Sequence, residues 1–138
     1  MAKKKTNPRT RPAKSGPPTR EKMAVMAGWL DEKQATAVTA LDVTGLCSIA
    51  EGMVLATARN VRHAQALGGH LLDRAGEQGW EYLGMEGQRT GNWLLIDFND
   101  VVVHVFLSDT RAFYNLEGLW SEAERLELDL PGGDEDGD

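Results

Sequence analysis

Trp93-Leu94-Leu95-Ile96-Asp97-Phe98, Asn99-Asp100, Val101-Val102-Val103-His104-Val105-Phe106-Leu107 is the stretch that decides the fold. Two β-rich runs joined by a two-residue Asn-Asp link predict a tight hairpin, because Asn and Asp tolerate the positive φ such turns need. With Phe98 opposite Val101, one face carries Leu94, Ile96, Phe98, Val101, Val103 and Val105, all apolar, and is the core side. The opposite face carries Trp93, Leu95, Asp97, Val102, His104 and Phe106, neither plainly solvent nor plainly core. Two readings compete for it. Either a helix of the same chain covers it, with Asp97 and His104 hydrogen-bonded diagonally across the strands, or it is an apolar platform edged by one carboxylate and one imidazole for a partner.

Working outward, the hairpin is followed by a helix expected from Asp109 to Ala123, capped by Ser108 or Asp109, with Phe113, Leu116, Trp120 and Ala123 on one face and Tyr114, Glu117 and Ser121 on the next. Upstream, Tyr82 to Met85 reads as a strand. Asn60 is a good N-cap for a helix with Val61, Ala64, Leu67 or Gly68, Leu71, Leu72 and Ala75 in a 3.6-residue stripe, ended by Gly76 and Gly79. Arg62 and His63 fall in its first turn, where an anion is one candidate ligand. Two further strands, Ala37 to Val43 and Gly52 to Thr57, precede it, and a short amphipathic helix capped by Thr19 carries Met23, Met26 or Ala27, and Leu30 as core contacts. The order helix, two strands, helix, three strands, helix predicts an α/β fold: a mixed β-sheet of about five strands with packed helices.

At 138 residues and 41% apolar composition the chain suffices for one domain with its own core. Its net charge of −6 hides an asymmetry: residues 1–20 hold seven Lys or Arg and no acid, the last twelve residues six acids and no base, and residues 21–126 fifteen acids against eight bases. We divide the chain into a disordered basic tail, 1–18, a folded domain, 19–126, and a disordered acidic tail, 127–138. An acidic folded part is the reverse of a typical DNA-binding domain. Lys3, Lys4, Lys5, Arg9, Arg11 and Lys14 suit weak, sequence-independent contact with RNA phosphates, or merely solubilise. One cysteine, Cys47, excludes an internal disulfide, and no apolar run reaches the ~20 residues of a membrane span. A soluble cytoplasmic protein that does not engage membranes is expected.

Catalytic signals are weak. No P-loop, dinucleotide fingerprint or zinc spacing is present, and His63 and His70, seven apart on one helix, stand too far apart to grip one metal ion. Asp42 reads as a turn or cap group, Cys47 as a small buried hydrophobe. A Cys47/His104/Asp97 hydrolase requires three elements to meet without a local signature. No cofactor and no metal are expected.

The run Asp97-Phe98-Asn99-Asp100-Val101-Val102-Val103-His104-Val105-Phe106, continuing through Arg111-Ala112-Phe113-Tyr114-Asn115-Leu116-Glu117-Gly118-Leu119-Trp120, resembles the ribosomal silencing factor (Iojap-like) family. That family's pattern is Trp, then Asp-x-Gly-Asp-Val-Val-Val-His, then Arg-x-x-Tyr-x-Leu-Glu-x-Leu-Trp. The similarity extends through Ala40-Leu41-Asp42-Val43, Met53 to Thr57, Arg62-His63 and Glu86-Gly87. The resemblance implies a translation regulator rather than an enzyme. Such a factor binds the large ribosomal subunit through the ribosomal protein numbered fourteen, blocks joining of the small subunit, in several members forms a homodimer, and has a nucleotidyltransferase-like core without catalysis. Two departures stand out: Ala58-Arg59-Asn60 replaces the usual Gly-Thr-Ser, and Asn99-Asp100 the usual Gly-Asp. The first removes a Gly-Ser nest for a triphosphate, which weakens the nucleotidyltransferase alternative. With the resemblance included, the partner-binding face is expected to centre on Trp93, Leu95, Val102 and Phe106, with Glu86, Asp97, Asp100 and Glu117 at its rim and His104, Tyr114 and Trp120 nearby. Trp120 equally suits closing the core, and Arg111 equally suits pairing with an acid of the chain.

Overall fold

A computed structural model describes residues 16–131; the basic residues up to Lys14 and most of the acidic C-terminal tail lie outside this range. The elements run α1 (Thr19–Glu32), β1 (Thr36–Asp42), β2 (Gly52–Ala58), α2 (Val61–Gln78), β3 (Gly84–Glu86), β4 (Trp93–Asp97), β5 (Val101–Leu107), α3 (Ser108–Tyr114), α4 (Leu116–Leu119) and β6 (Glu124–Arg125). The strands form one mixed sheet in the order β3-β4-β5-β2-β1-β6. Only β2 and β5 are parallel, an arrangement reached because α2 and the β3–β4 excursion carry the chain back between them. The sheet is mixed, as expected, and gains a sixth strand. β6 has two residues, too few for any periodic signal, and it pairs through Leu41 with Arg125 and Asp42 with Glu124.

The hairpin takes the expected register: Trp93 lies opposite Phe106, Leu95 opposite His104 and Asp97 opposite Val102, with the Phe98 N–H donating to the Val101 carbonyl at 2.9 Å. Of the two turn residues only Asn99 adopts positive φ, at 82°. Leu94, Ile96, Phe98, Val101, Val103 and Val105 are all fully buried. They meet Met23, Met26, Trp29 and Leu30 of α1 and Ala64, Leu67, Leu71 and Ala75 of α2 in one continuous core. Each such apolar side chain contributes about 1.5–3 kcal/mol, which is what holds two modest helices on the sheet.

Local signals account for the helix ends only in part. The Asn60 side chain accepts from the His63 N–H, and Gly79 closes α2 at φ 73°, whereas Gly76 lies within the helix. Thr19 is not the cap of α1; Pro18 precedes the helix and the Thr19 hydroxyl instead donates toward Glu51 and Asp100. The third strand starts two residues later than expected, at Gly84, leaving Tyr82 and Leu83 exposed. The single C-terminal helix is in fact two. Asn115 adopts a left-handed conformation at φ 50°, ending α3, and its side chain accepts from the Gly118 N–H to start α4. Neither Ser108 nor Asp109 caps α3, which begins after Leu107 without a side-chain cap.

Candidate partner-binding face

The second sheet face is partly covered and partly open. A smaller cluster of Leu41, Val43, Met53, Leu55 and Phe106 lies on it, closed by Trp93, Leu116, Trp120, Ala123 and Cys47. Phe106, His104 and Val102 are therefore buried, while Trp93, Leu95 and Asp97 are half-buried. Trp120 helps to seal this cluster and Cys47 packs against it as a small hydrophobe.

Trp93 is the centre of the arrangement. Its ring centroid stands 4.7 Å from Tyr114, 5.1 Å from Phe106 and 5.9 Å from His104, and the His104 ring stacks on Phe106 at 5.8 Å. The Trp93 indole N–H donates to His104 Nδ1 at 3.0 Å. An indole nitrogen only donates, so Nδ1 accepts and the neutral imidazole carries its proton on Nε2. Burial pushes the His104 pKa down to about 4, since nothing nearby compensates a charged ring. His104 is thus a neutral, aromatic part of the face at physiological pH. The expected Asp97–His104 hydrogen bond is replaced by this Trp93 contact; Asp97 instead accepts from the Asn99 N–H at 2.9 Å and shapes the turn.

α3 and α4 are pinned over the open end by one side chain. Arg111 donates to both Glu117 carboxylate oxygens at 3.1 and 2.6 Å, to the Ala37 carbonyl at 2.7 Å, to Thr57 Oγ1 at 2.9 Å and to Thr39 Oγ1 at 3.2 Å. The Arg111 hydrogen bonds hold the Glu117 carboxyl below its ordinary pKa. Glu117 is therefore committed to Arg111 and is not a free rim acid. The break at Asn115 turns apolar side chains outward: Phe113 is 81% exposed, Leu119 70% and Tyr114 53%. The apolar spacing places Phe113 on one helix face with Leu116, yet the break at Asn115 leaves Phe113 exposed and Leu116 half-buried, and it exposes Leu119, which the periodicity does not mark as a site residue. The Asn-x-x-Gly capping spacing at Asn115 was the signal that would have found them.

Of the remaining site residues, Glu86 is exposed and pairs in the ladder with Leu95, so its side chain shares the outer face. Asp100 does not. Its carboxylate accepts from Lys22 Nζ at 2.8 Å and from the Thr19 hydroxyl at 2.8 Å, with both ion-pair side chains almost wholly buried. The turn points it under the start of α1, because a buried Lys22 needs a buried anion.

Catalytic readings find no support in the geometry. Asp42 accepts from the Thr44 N–H at 3.0 Å as a turn group. His63 is held structurally, Nδ1 accepting from the Arg59 N–H at 3.0 Å and Nε2 lying 2.7 Å from the Lys33 carbonyl. Among the described residues no group of His, Cys, Asp and Glu is placed to hold a metal ion, and no helix is long and apolar enough to cross a membrane.

The fold that carries this face is shared with known proteins. The family described as "Ribosomal silencing factor during starvation" matches residues 17–137. The chain belongs to this ribosomal silencing factor family. A ribosomal silencing factor of Halalkalibacterium halodurans is 42% identical over 100 residues, covering 72% of this chain and 86% of the relative. A crystal structure of a Chromobacterium violaceum protein superposes with a TM-score of 0.68 at 32% identity, covering 78% of this chain and 88% of that one. A more distant mouse relative, named "Mitochondrial assembly of ribosomal large subunit protein 1", is 25% identical over 100 residues, covering 70% of this chain and 44% of the relative. Membership makes this chain a ribosomal silencing factor, a regulator of translation.

Proposed function

We propose that the protein docks through its outer sheet face on the large ribosomal subunit, at the ribosomal protein numbered fourteen, and represses translation by keeping the small subunit from joining. It acts in the cytoplasm as a binding protein, without catalysis or cofactor. The observation that carries this reading is the exposed Tyr114, packed on the half-buried Trp93 beside Leu95 and on the exposed Phe113, with Leu119 also exposed on the short helix that follows. An apolar, aromatic centre is what the fully desolvated middle of an interface requires. Glu86 and Asp97 supply an acidic edge suited to a basic ribosomal protein. The name of the mouse relative, which points to the large subunit, agrees with the choice of subunit.

The test is sedimentation of the protein with separated subunits, followed by a joining assay in the same mixture. Co-sedimentation with the large subunit and fewer joined ribosomes are expected, with both effects lost in Leu95→Arg and Tyr114→Ala. Normal binding by both variants, each still folded, refutes the assignment of the face. A second copy of this chain is the competing partner for the same exposed side chains, and a mass that rises with concentration and collapses on Phe113→Glu would favour it.

A further inference from the structure

One end of the molecule groups four cations, in a chain whose net charge is −6. Three segments meet there: the link that follows Asp31 and Glu32 at the end of α1, with β1; the first turns of α2; and the loop between β3 and β4. Residues 33–41, 52–72 and 87–96 contain no Asp or Glu, while they contribute Lys33, Arg59, Arg62 and Arg89, all exposed. Contacts between the segments place them together. The Arg59 guanidinium donates to Gln34 Oε1 at 3.2 Å, the His63 ring reaches the Lys33 carbonyl at 2.7 Å, and Gln65 Nε2 donates to the Gln88 carbonyl at 2.8 Å. Gly91, at φ 76°, lies so close to Val61 that a Cβ there would come within 2.4 Å of its Cγ1. The loop bearing Arg89 therefore lies across the turn that bears Arg62, and Gln65 shares the Arg62 face one turn on.

None of the four cations has an ion pair among the described residues. Glu32, beside Lys33 in the chain, is turned to His70 at 3.1 Å and Arg74 at 3.2 Å. Glu86, three residues before Arg89, lies on the outer sheet face with Leu95. The N–H of His63 at the start of α2 is already taken by the Asn60 side chain, so the charge here resides in side chains rather than in the helix end. Among the described residues, three other arginines are ion-paired: Arg20 with Asp42 and Glu124, Arg74 with Glu32 and Glu77, and Arg111 with Glu117. Four uncompensated cations grouped on an otherwise acidic protein repel one another unless an external polyanion neutralises them.

We infer that Lys33, Arg59, Arg62 and Arg89 form a docking surface for the phosphate backbone of RNA. The source of that RNA, the ribosome, rests on the function proposed above; the charge arrangement does not. The cations border the helix side of the sheet's end, and Trp93 and Tyr114 border the other side of the same end. A protein contact and an RNA contact can thus be made at once, the first fixing identity and the second adding a salt-sensitive share of affinity without base specificity.

The experiment compares two full-length variants of equal net charge. Arg59→Gln/Arg62→Gln/Arg89→Gln removes three positive charges from the surface, taking −6 to −9; Ala24→Glu/Ser48→Glu/Gln78→Glu adds three negative charges elsewhere, also reaching −9. Binding to purified large subunits and to a mixed-sequence RNA duplex of about 20 base pairs is measured between about 50 and 300 mM KCl. Each phosphate contact contributes about 0.7–0.9 to the slope of log K against log salt, so the Gln variant is expected to lose about 2–3 from the slope on both probes. The Glu variant is expected to keep the wild-type slope. Equal changes in the two variants, or an unchanged slope in the Gln variant, overturn the inference. Wild-type binding to subunits with a slope indifferent to the Gln variant refutes the RNA surface and leaves the proposed function standing. Duplex binding that depends on these arginines, with no binding to subunits, does the reverse.

Discussion

Acidification tests the construction of the partner-binding face through His104. Its pKa is about 4 in the folded chain against an ordinary value of 6.5, because burial penalises the charged ring and the Trp93 indole N–H already occupies Nδ1. The folded state therefore binds fewer protons than the unfolded state between those two values, so stability falls as pH drops below 6.5 and stops falling on this account below about 4. At 1.36 kcal/mol per unit, the loss is about 2 kcal/mol at pH 5 and approaches about 3 kcal/mol at pH 4. Urea unfolding across pH 7 to 4 measures it, with His104→Asn as the reference. The Asn carbonyl can accept from Trp93 in place of Nδ1 and does not titrate, so the difference between the two proteins isolates this ring from every other group. The wild type is expected to lose about 2 kcal/mol more than the variant between pH 7 and 5. A difference that stays flat, or an imidazole resonance of His104 that titrates near 6.5, refutes the argument that the ring is dry and held by Trp93.

Three further outcomes follow from the same geometry. Lys22→Met leaves Asp100 buried without its cation and is expected to cost about 3–5 kcal/mol in urea unfolding, whereas Lys22→Met with Asp100→Asn recovers much of that loss; equal stability of the two variants would show that the pair is not buried as described. Arg111→Lys cannot reproduce the forked pairing with Glu117 together with the bonds to Ala37, Thr57 and Thr39, and should lower hydrogen-exchange protection across residues 116–120 while sparing β5, at a cost of about 1–3 kcal/mol; uniform loss of protection would contradict a locally pinned flap. Phe113→Ser/Leu119→Ser is expected to leave the unfolding midpoint nearly unchanged, since both side chains are largely exposed, but to weaken large-subunit binding about tenfold or more, about 1.4 kcal/mol in binding free energy; unchanged binding would remove them from the contact.

The hairpin was readable because a two-residue turn fixes the register and one face is apolar at every position, so a one-residue slip would expose the whole set. The α2 boundaries were readable because Asn60 and Gly79 act locally. The failures share a different cause, distance along the chain. Asp100 looks like a rim acid until Lys22, 78 residues earlier, is placed over the turn. Thr19 looks like a cap until Glu51 and Asp100 come within reach of its hydroxyl. Asp97 and Trp93 are both diagonal neighbours of His104 on one face, and the strand pattern does not choose between them. In the folded chain Tyr114 packs on the Trp93 ring and the indole N–H donates to His104, while Asp97 stays near the turn and accepts from the Asn99 N–H. Asn115 was a local signal passed over, because the apolar spacing of Phe113, Leu116 and Trp120 suggested one continuous helix.

The two competing readings of the mixed face are both partly right, and this has a consequence for how the face works. Had a long helix covered it, Trp93 and Leu95 would be core, as Phe106 already is, and nothing apolar would be left to offer a partner. Had nothing covered it, the aromatic cluster would be a wet, mobile surface that pays ordering entropy on binding. Instead Leu116 and Trp120 seal the inner part of the cluster, and Arg111 fixes the flap that carries them to β1 and β2 through three hydrogen bonds, while two more tie α3 to Glu117 of α4. The same flap, broken at Asn115, then presents Tyr114, Phe113 and Leu119 outward on a backbone that is already held. A left-handed residue in a short helix usually weakens it. Here the break divides one amphipathic segment into an inward and an outward apolar set, so that the side chains which complete the core also position those left for a partner.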